Sequence, residues 1–208
     1  MTNKNVIVSE EQALAGRSLP IHITAPHFVN QSDLNAQPTP EQQQILVGMG
    51  CFWGAERLFW PLDGVISTSV GYAGGFTKNP NYEEVCSGHT GHAEVVRIIF
   101  DPMRISLRSL LELFWQRHDP TQGMRQGNDL GTQYRSVIYT YNSEQMDIAQ
   151  QTKQDYQQAL DIKEKDVITT QIEEATTYYF AEDYHQQYLA KNPTGYCGLG
   201  GTGVCFLP

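Results

Sequence analysis

The stretch ILVGMGCFWGAERLFWP, residues 45–61, decides how the rest of the chain is read. Its opening ILVGMG is a short apolar run and reads as a buried strand, and the following GAERLFWP reads as a helix. Cys51 then lies at the strand-to-helix junction. A helix N-terminus presents N–H groups without intrahelical partners and the positive end of the peptide dipoles. Both lower a thiol pKa, and the thiolate is the nucleophilic form. Cys51 is therefore a candidate nucleophile, set against the plainer reading of a small buried apolar residue. Phe52 and Trp53 follow it between glycines, which let backbone approach a ligand and leave the two rings free to wall a small apolar pocket.

Outward from this junction, short strand-like runs (GVISTSVGY, HAEVVRIIF, QYRSVIYTY, DVITTQI) alternate with helix-like ones, which predicts an α/β or α+β domain. In ISLRSLLELFWQRHDP the residues Leu107, Leu110, Leu111, Phe114 and Trp115 fall at helical spacing, with Ser106 placed to cap the start and Pro120 beyond the end. NSEQMDIAQQTKQDYQQAL predicts a mostly polar surface helix, and AEDYHQQYLAKNP a third helix stopping before Pro193. Residues 1–44 are polar and form an extension that PIHITAPHFV ties loosely to the main body at 45–208. From about residue 192 the chain is a tail. Five glycines between Gly195 and Gly203 are too many for a helix or central strand and predict a mobile, mostly irregular segment.

A formal charge of -9 and the lack of a basic stripe argue against nucleic acid and anionic membrane as partners. No window approaches the roughly 18 apolar residues of a membrane span, and the first residues lack the apolar core of a secretory signal. The expected location is the cytoplasm. There a reducing pool makes the four cysteines catalytic or metal-binding rather than structural staples.

Cys197 and Cys205 flank GLGGTGV, a spacer with four glycines in seven residues. A permanent disulfide there would staple a segment built to move, whereas a redox relay uses both the thiols and the mobility. In such a relay a tail thiol condenses with a sulfenic acid on Cys51, and the second tail thiol carries the disulfide outward. A zinc site competes for the same cysteines, but no C-x2-C pair occurs. Glu94 shares a strand face with His92, Val96, Ile98 and Phe100, so its end of the strand is either solvated or buried. Burial would raise its pKa and keep it available as a proton donor. Tyr82 and Tyr134 lie in Gly/Asn-rich loops that lead toward strands. Cys86 reads as a buried bystander, and His185 as packed or catalytic with equal ease. A thiol peroxidase or a stoichiometric redox sensor would use the same cysteine set, although the Phe-Trp pair favours a methyl sulfoxide.

The runs GMGCFWGAE, VGYAGG, NPNYEEVCSGHTGHAEVV, QGNDLGTQYRS and AEDYHQQYLAKNPTGYCGLGGTG, in this order over residues 45–205, resemble the A-type peptide methionine sulfoxide reductases. The resemblance implies an α+β, two-layer sandwich around a ferredoxin-like β-α-β core, with a glycine-rich, mostly irregular C-terminal tail. It implies reduction of the S epimer of methionine sulfoxide, free or in oxidised proteins, with no cofactor and no metal, and thioredoxin as the reducing partner. By position, Cys51 is the implied nucleophile, and Phe52 and Trp53 the pocket for the substrate methyl group. Glu94, Tyr82 and Tyr134 bind and protonate the sulfoxide oxygen, with Asp129 a polar residue of the same site. Cys197 is the implied resolving cysteine and Cys205 the recycling one.

Overall fold

Gly50 adopts a φ of 89° and turns the chain out of its first strand, β1 (Gln43–Met49), directly into its first helix, α1 (Phe52–Phe59). The structure, a computed structural model, describes residues 5–207; the outermost parts of the expected extension and tail, residues 1–4 and 208, lie outside the described residues. Beyond α1 the chain forms β2 (Val65–Ala73), α2 (Tyr82–Cys86), β3 (Ala93–Phe100) and α3 (Leu107–Arg117). A small hairpin, β4 (Arg125–Gln126) and β5 (Asp129–Leu130), precedes β6 (Ser136–Thr140), α4 (Ser143–Ile162), β7 (Gln171–Glu174), β8 (Tyr179–Phe180) and α5 (Tyr188–Lys191).

The main sheet has the order β7-β6-β1-β3-β2-β8. β3 inserts between β1 and β2 and runs antiparallel to both, and β1 inserts between β3 and β6 in the same way. Two split β-α-β units, β1-α1-β2 and β3-α3-β6, thereby interlock into a ferredoxin-like core. α4 returns the chain to lay β7 parallel to β6. One sheet face, with Ile45, Val47, Met49, Val96, Ile98, Phe100 and Ile138, packs against α1, α3 and α4 in a single core. The other face carries a smaller cluster around Leu46, Val95, Val137 and Tyr139, covered by Ala175 and Tyr178. Helices thus lie on one side only, which makes the architecture an α+β two-layer one.

β3 is central and covered on both faces, so all eight of its residues are buried, Glu94 and Arg97 included. Arg97 is satisfied by Gln44 Oε1 and the Ala36 carbonyl. α3 starts as predicted, with the Ser106 hydroxyl accepting from the Ser109 N–H. Ser106→Ala should cost about 1 kcal/mol of stability, as loss of an N-cap does; an unchanged urea midpoint would show that this cap contributes nothing.

Two segments differ from expectation. Residues 181–193 form mostly turns, with only the short α5 helical. The Gln186 side chain is drawn off to the Val70 backbone at the sheet edge, and Gln187 sits in a left-handed conformation at φ 47°, which interrupts any continuous helix. The tail is irregular but docked rather than free. Leu199 packs on the core beside α1, Val204 is buried, and the Tyr156 hydroxyl of α4 meets Thr202 Oγ1 at 2.8 Å and the Val204 carbonyl at 3.1 Å. Phe206 lies against Tyr156 with ring centroids 5.1 Å apart. The apolar side chains between the glycines supply burial that a purely glycine segment would lack. Residues 14–17 pair with Lys78 and His89, on either side of α2, and His27, Asn30 and Ser32 bond to Thr68, Ile66 and Ser67 along the edge of β2; Ile23, His27 and Leu34 are buried.

Candidate active site

Cys51 is the N-cap residue of α1 and is half-buried, and the next N–H, that of Phe52, donates to Glu94 Oε2 at 3.0 Å. Glu94 stands on the helix-facing side of β3, opposite Tyr72 of β2, and is only 1% exposed. Burial is the larger influence and raises its pKa to about 8. The Phe52 N–H pulls the other way, and the nearby Asp129 adds to the rise. Near neutral pH the carboxyl group therefore keeps its proton and offers an O–H donor next to the cysteine.

The thiol departs from the sequence reading. The N–H groups of Trp53 and Gly54 do lower the Cys51 pKa, but burial first and the Glu94 charge second outweigh them, so the thiol is raised rather than lowered. A helix N-terminus acts over one turn and weakly. Removal from water, joined above about pH 8 by the Glu94 carboxylate, acts more strongly in the opposite direction.

Around the pair stands an aromatic wall. Phe52 is buried, its ring 5.9 Å from that of Tyr72 and 5.1 Å from His185. Trp53 stacks on Tyr188 at 3.9 Å and donates its indole N–H to His185 Nδ1 at 2.9 Å. This bond makes Nδ1 the acceptor and places the imidazole proton on Nε2. Burial lowers the His185 pKa to about 4, so the ring is neutral. His185 is thus a packed residue that touches the wall from behind.

Tyr82 and Tyr134 are both half-buried, and burial raises both phenols, with Glu94 among the groups acting on each. They stay protonated and can donate. Cys86, expected to be a buried bystander, is not fully buried. It is half-buried one turn after Tyr82 on α2, and the two side chains are hydrogen-bonded. Asp129 on β5 accepts from the Tyr196 hydroxyl at 3.2 Å on each carboxylate oxygen, and burial raises its pKa.

The tail thiols are placed differently from each other. Cys197 lies over α1, where a Cβ at position 54 would stand 2.9 Å from its Sγ, so glycine permits the approach. Arg57 Nη2 donates to the same sulfur at 3.3 Å, and both residues line a groove of about 420 Å³ together with Leu58, Gln116 and Arg117. Cys205 is exposed and sits farther along, between Val204 and Phe206 on the α4 side. None of the four cysteines is in a disulfide. Among the described residues no group of three or more His, Cys, Asp and Glu side chains is arranged to hold a metal ion, and no helix is long and apolar enough to cross a membrane.

The family profile described as Peptide methionine sulfoxide reductase matches residues 43–202. The chain belongs to this family. It is 67% identical over all 208 residues to Peptide methionine sulfoxide reductase MsrA of Vibrio parahaemolyticus, 98% of which is covered. Methionine sulfoxide reductase A of Corynebacterium diphtheriae has the same fold at TM-score 0.87 and 45% identity, over 98% of this chain and 99% of that one. Mxr1 of Saccharomyces cerevisiae in reduced form matches at TM-score 0.73 and 34% identity, covering 84% and 98%; its structure with Trx2 shares the fold at 22% identity. The protein is accordingly an oxidoreductase of the methionine sulfoxide reductase family, A type.

Tyr196, Arg57 and Glu182 belong to the surroundings of this site without any signature in the sequence, although Tyr196 directly precedes Cys197. Glu182 accepts from the Tyr82 N–H at 3.0 Å and the Tyr72 hydroxyl at 3.2 Å, a role set by partners at least 100 positions away in the chain that no local pattern announces.

Proposed function

We propose that this reductase converts the S epimer of methionine sulfoxide, free or in oxidised proteins, to methionine through a sulfenic acid on Cys51. The observation that carries this reading is the protonated, buried Glu94 carboxyl beside the Cys51 junction, behind the Phe52–Trp53 wall. The substrate methyl group lies against the two rings. The sulfoxide oxygen accepts hydrogen bonds from Glu94, Tyr82 and Tyr134, with Asp129 at the rim.

Proton transfer from Glu94 to that oxygen leaves a carboxylate, which takes the proton of the Cys51 thiol as sulfur attacks sulfur. A raised thiol pKa suits this order, because the thiol ionises when the substrate is in place to receive the electron pair. The oxygen then passes from the substrate sulfur to Cys51: the substrate S–O bond and the transient S–S bond break, an S–O bond forms on Cys51, and the products are methionine and Cys51–S–OH. Cys51 is oxidised by two electrons, and the sulfoxide is reduced by two to methionine.

Cys197 then condenses with the sulfenic acid, releasing water and forming the 51–197 disulfide, with Arg57 holding the incoming sulfur. Cys205 attacks Cys197, frees Cys51 and presents a 197–205 disulfide to thioredoxin. Support for that reductant is the complex of the relative Mxr1 with Trx2. A cytoplasmic setting, with its reducing pool, suits a relay that starts from free thiols and a role in repairing oxidised proteins.

Counting methionine released per enzyme without reductant tests the scheme. The wild type should release about two, because passing the disulfide to Cys197 and Cys205 frees Cys51 for a second round, whereas Cys205→Ser should stop at about one, with Cys51 held in the 51–197 disulfide, and then turn over poorly with thioredoxin. Cys197→Ser should stop with a sulfenic acid on Cys51 that dimedone traps. Wild-type turnover with thioredoxin in Cys205→Ser would reassign reduction to the first disulfide.

A further inference from the structure

The sulfoxide pocket does not end at the rings that face it. Trp53 is held on one side by the stacked Tyr188 ring and on its indole nitrogen by His185. These two residues lie on either side of Gln187, whose left-handed backbone is strained for a non-glycine residue and persists only where its surroundings fix it.

What fixes it is a buried polar network. Glu56, inside α1 and fully buried, accepts from the Gln187 N–H at 2.8 Å, from Gln187 Nε2 at 2.7 Å and from the Thr68 hydroxyl at 2.9 Å. The network is closed from outside the span matched by the family profile, by residues of the N-terminal segment. The Phe28 N–H donates to Gln187 Oε1 at 3.0 Å, and His27 Nε2 lies 3.0 Å from Thr68 Oγ1. His27 is fully buried, and its Nδ1 accepts from the Val29 and Asn30 N–H groups. Its proton is therefore on Nε2, the Thr68 hydroxyl accepts it, and that hydroxyl passes its own hydrogen on to Glu56. The His27–Thr68–Glu56 and Phe28–Gln187–Glu56 bonds run from the N-terminal segment toward the helix that bears Cys51, and Gln187 Nε2 also donates to the Thr68 carbonyl at 3.2 Å.

We propose that the N-terminal segment is a positioning element of the sulfoxide pocket: His27 and the Phe28 N–H complete the Thr68–Glu56–Gln187 network, which fixes the backbone carrying His185 and Tyr188, and these hold Trp53. The proposal rests on Trp53 walling the pocket, as inferred above. His27 touches no substrate and acts only through its neighbours.

The test measures single-turnover methionine formation in the full chain, without reductant, against the concentration of free methionine sulfoxide. His27→Ala should raise the half-saturating concentration about tenfold, in line with an orphaned buried polar group, while the limiting rate changes by less than about threefold. His27→Gln should restore most of the affinity, since its amide can donate to Thr68. In a Trp53→Phe background the His27→Ala change should add nothing further, because the ring being positioned is gone. A purely stabilising role would lower the melting temperature equally in both backgrounds and leave half-saturation alone. If His27→Ala does not fold, Thr68→Val carries the same expectation. Wild-type half-saturation in folded His27→Ala or Thr68→Val, or an equal rise in both backgrounds, overturns the proposal while leaving the pocket intact. If Trp53→Phe alone leaves half-saturation unchanged, the pocket reading fails and this proposal falls with it.

Discussion

Cys51→Ser is expected to form no methionine above the uncatalysed background, even with excess enzyme over hours. An alcohol at this position is a far weaker nucleophile than a thiol and cannot become a sulfenic acid, so both the attack and the oxygen transfer are lost. The fold should survive. Cys51 occupies the N-cap of α1 without making a side-chain cap bond, whereas serine is a favoured N-cap residue. The variant should therefore melt at or slightly above the wild-type temperature, which separates lost chemistry from lost structure. Cys86→Ser is the control: a hydroxyl can still pair with Tyr82, and activity should stay within a few-fold. Methionine formed by Cys51→Ser would remove Cys51 from the chemistry.

Glu94→Gln keeps the shape and the acceptor for the Phe52 N–H but removes the transferable proton. The single-turnover rate should fall by about 10² to 10⁴, the range for general acid catalysis, with a smaller change in half-saturation. In the wild type, Glu94 holds its proton up to about pH 8, so the rate should decline as pH rises through that value. The decline should be absent in the variant. Stability carries the same signature. The folded pKa lies above the ordinary glutamate value of 4.5, so the contribution of Glu94 is fully present below about 4.5 and is lost as pH rises through about 8. Glu94→Gln should thus gain stability relative to wild type on the alkaline side. A rate within a few-fold of wild type, or an unchanged pH profile, would return Glu94 to a structural role.

What the sequence disclosed was mainly local. The ILVGMG run followed by glycine-bracketed aromatics announced β1, the turn and α1, and the spacing from Leu107 to Trp115 announced α3 with its Ser106 cap. Strand order was not legible, because the insertion of β3 between β1 and β2 is a pairing between distant segments. The helix expected from residue 181 to before Pro193 fails for the same reason: Gln187 is held left-handed by Glu56, 131 positions away. The sign of the Cys51 shift also escaped, since the helix end is visible in sequence while burial and the Glu94 charge are properties of the fold. Cys86 is different. It stands four residues after Tyr82 in a helix-like run, a spacing that places the two on one face and was readable from the start.

The docked tail bears on how fast the proposed relay can recover. Were the segment after Cys197 a free tether, its seven-residue spacer alone would set the effective concentration of Cys205 at the first disulfide. Instead the Tyr156–Thr202 and Tyr156–Val204 contacts and the seated Phe206 hold the second thiol against α4, so that concentration is multiplied by the fraction of time the contact is open. Each 1.4 kcal/mol of docking energy slows delivery about tenfold. In the proposed relay Tyr156 would thereby act as a timer. Weakening its grip would hasten the exchange and shorten the interval in which the 51–197 disulfide stands unrelieved, whereas tightening it would lengthen that interval.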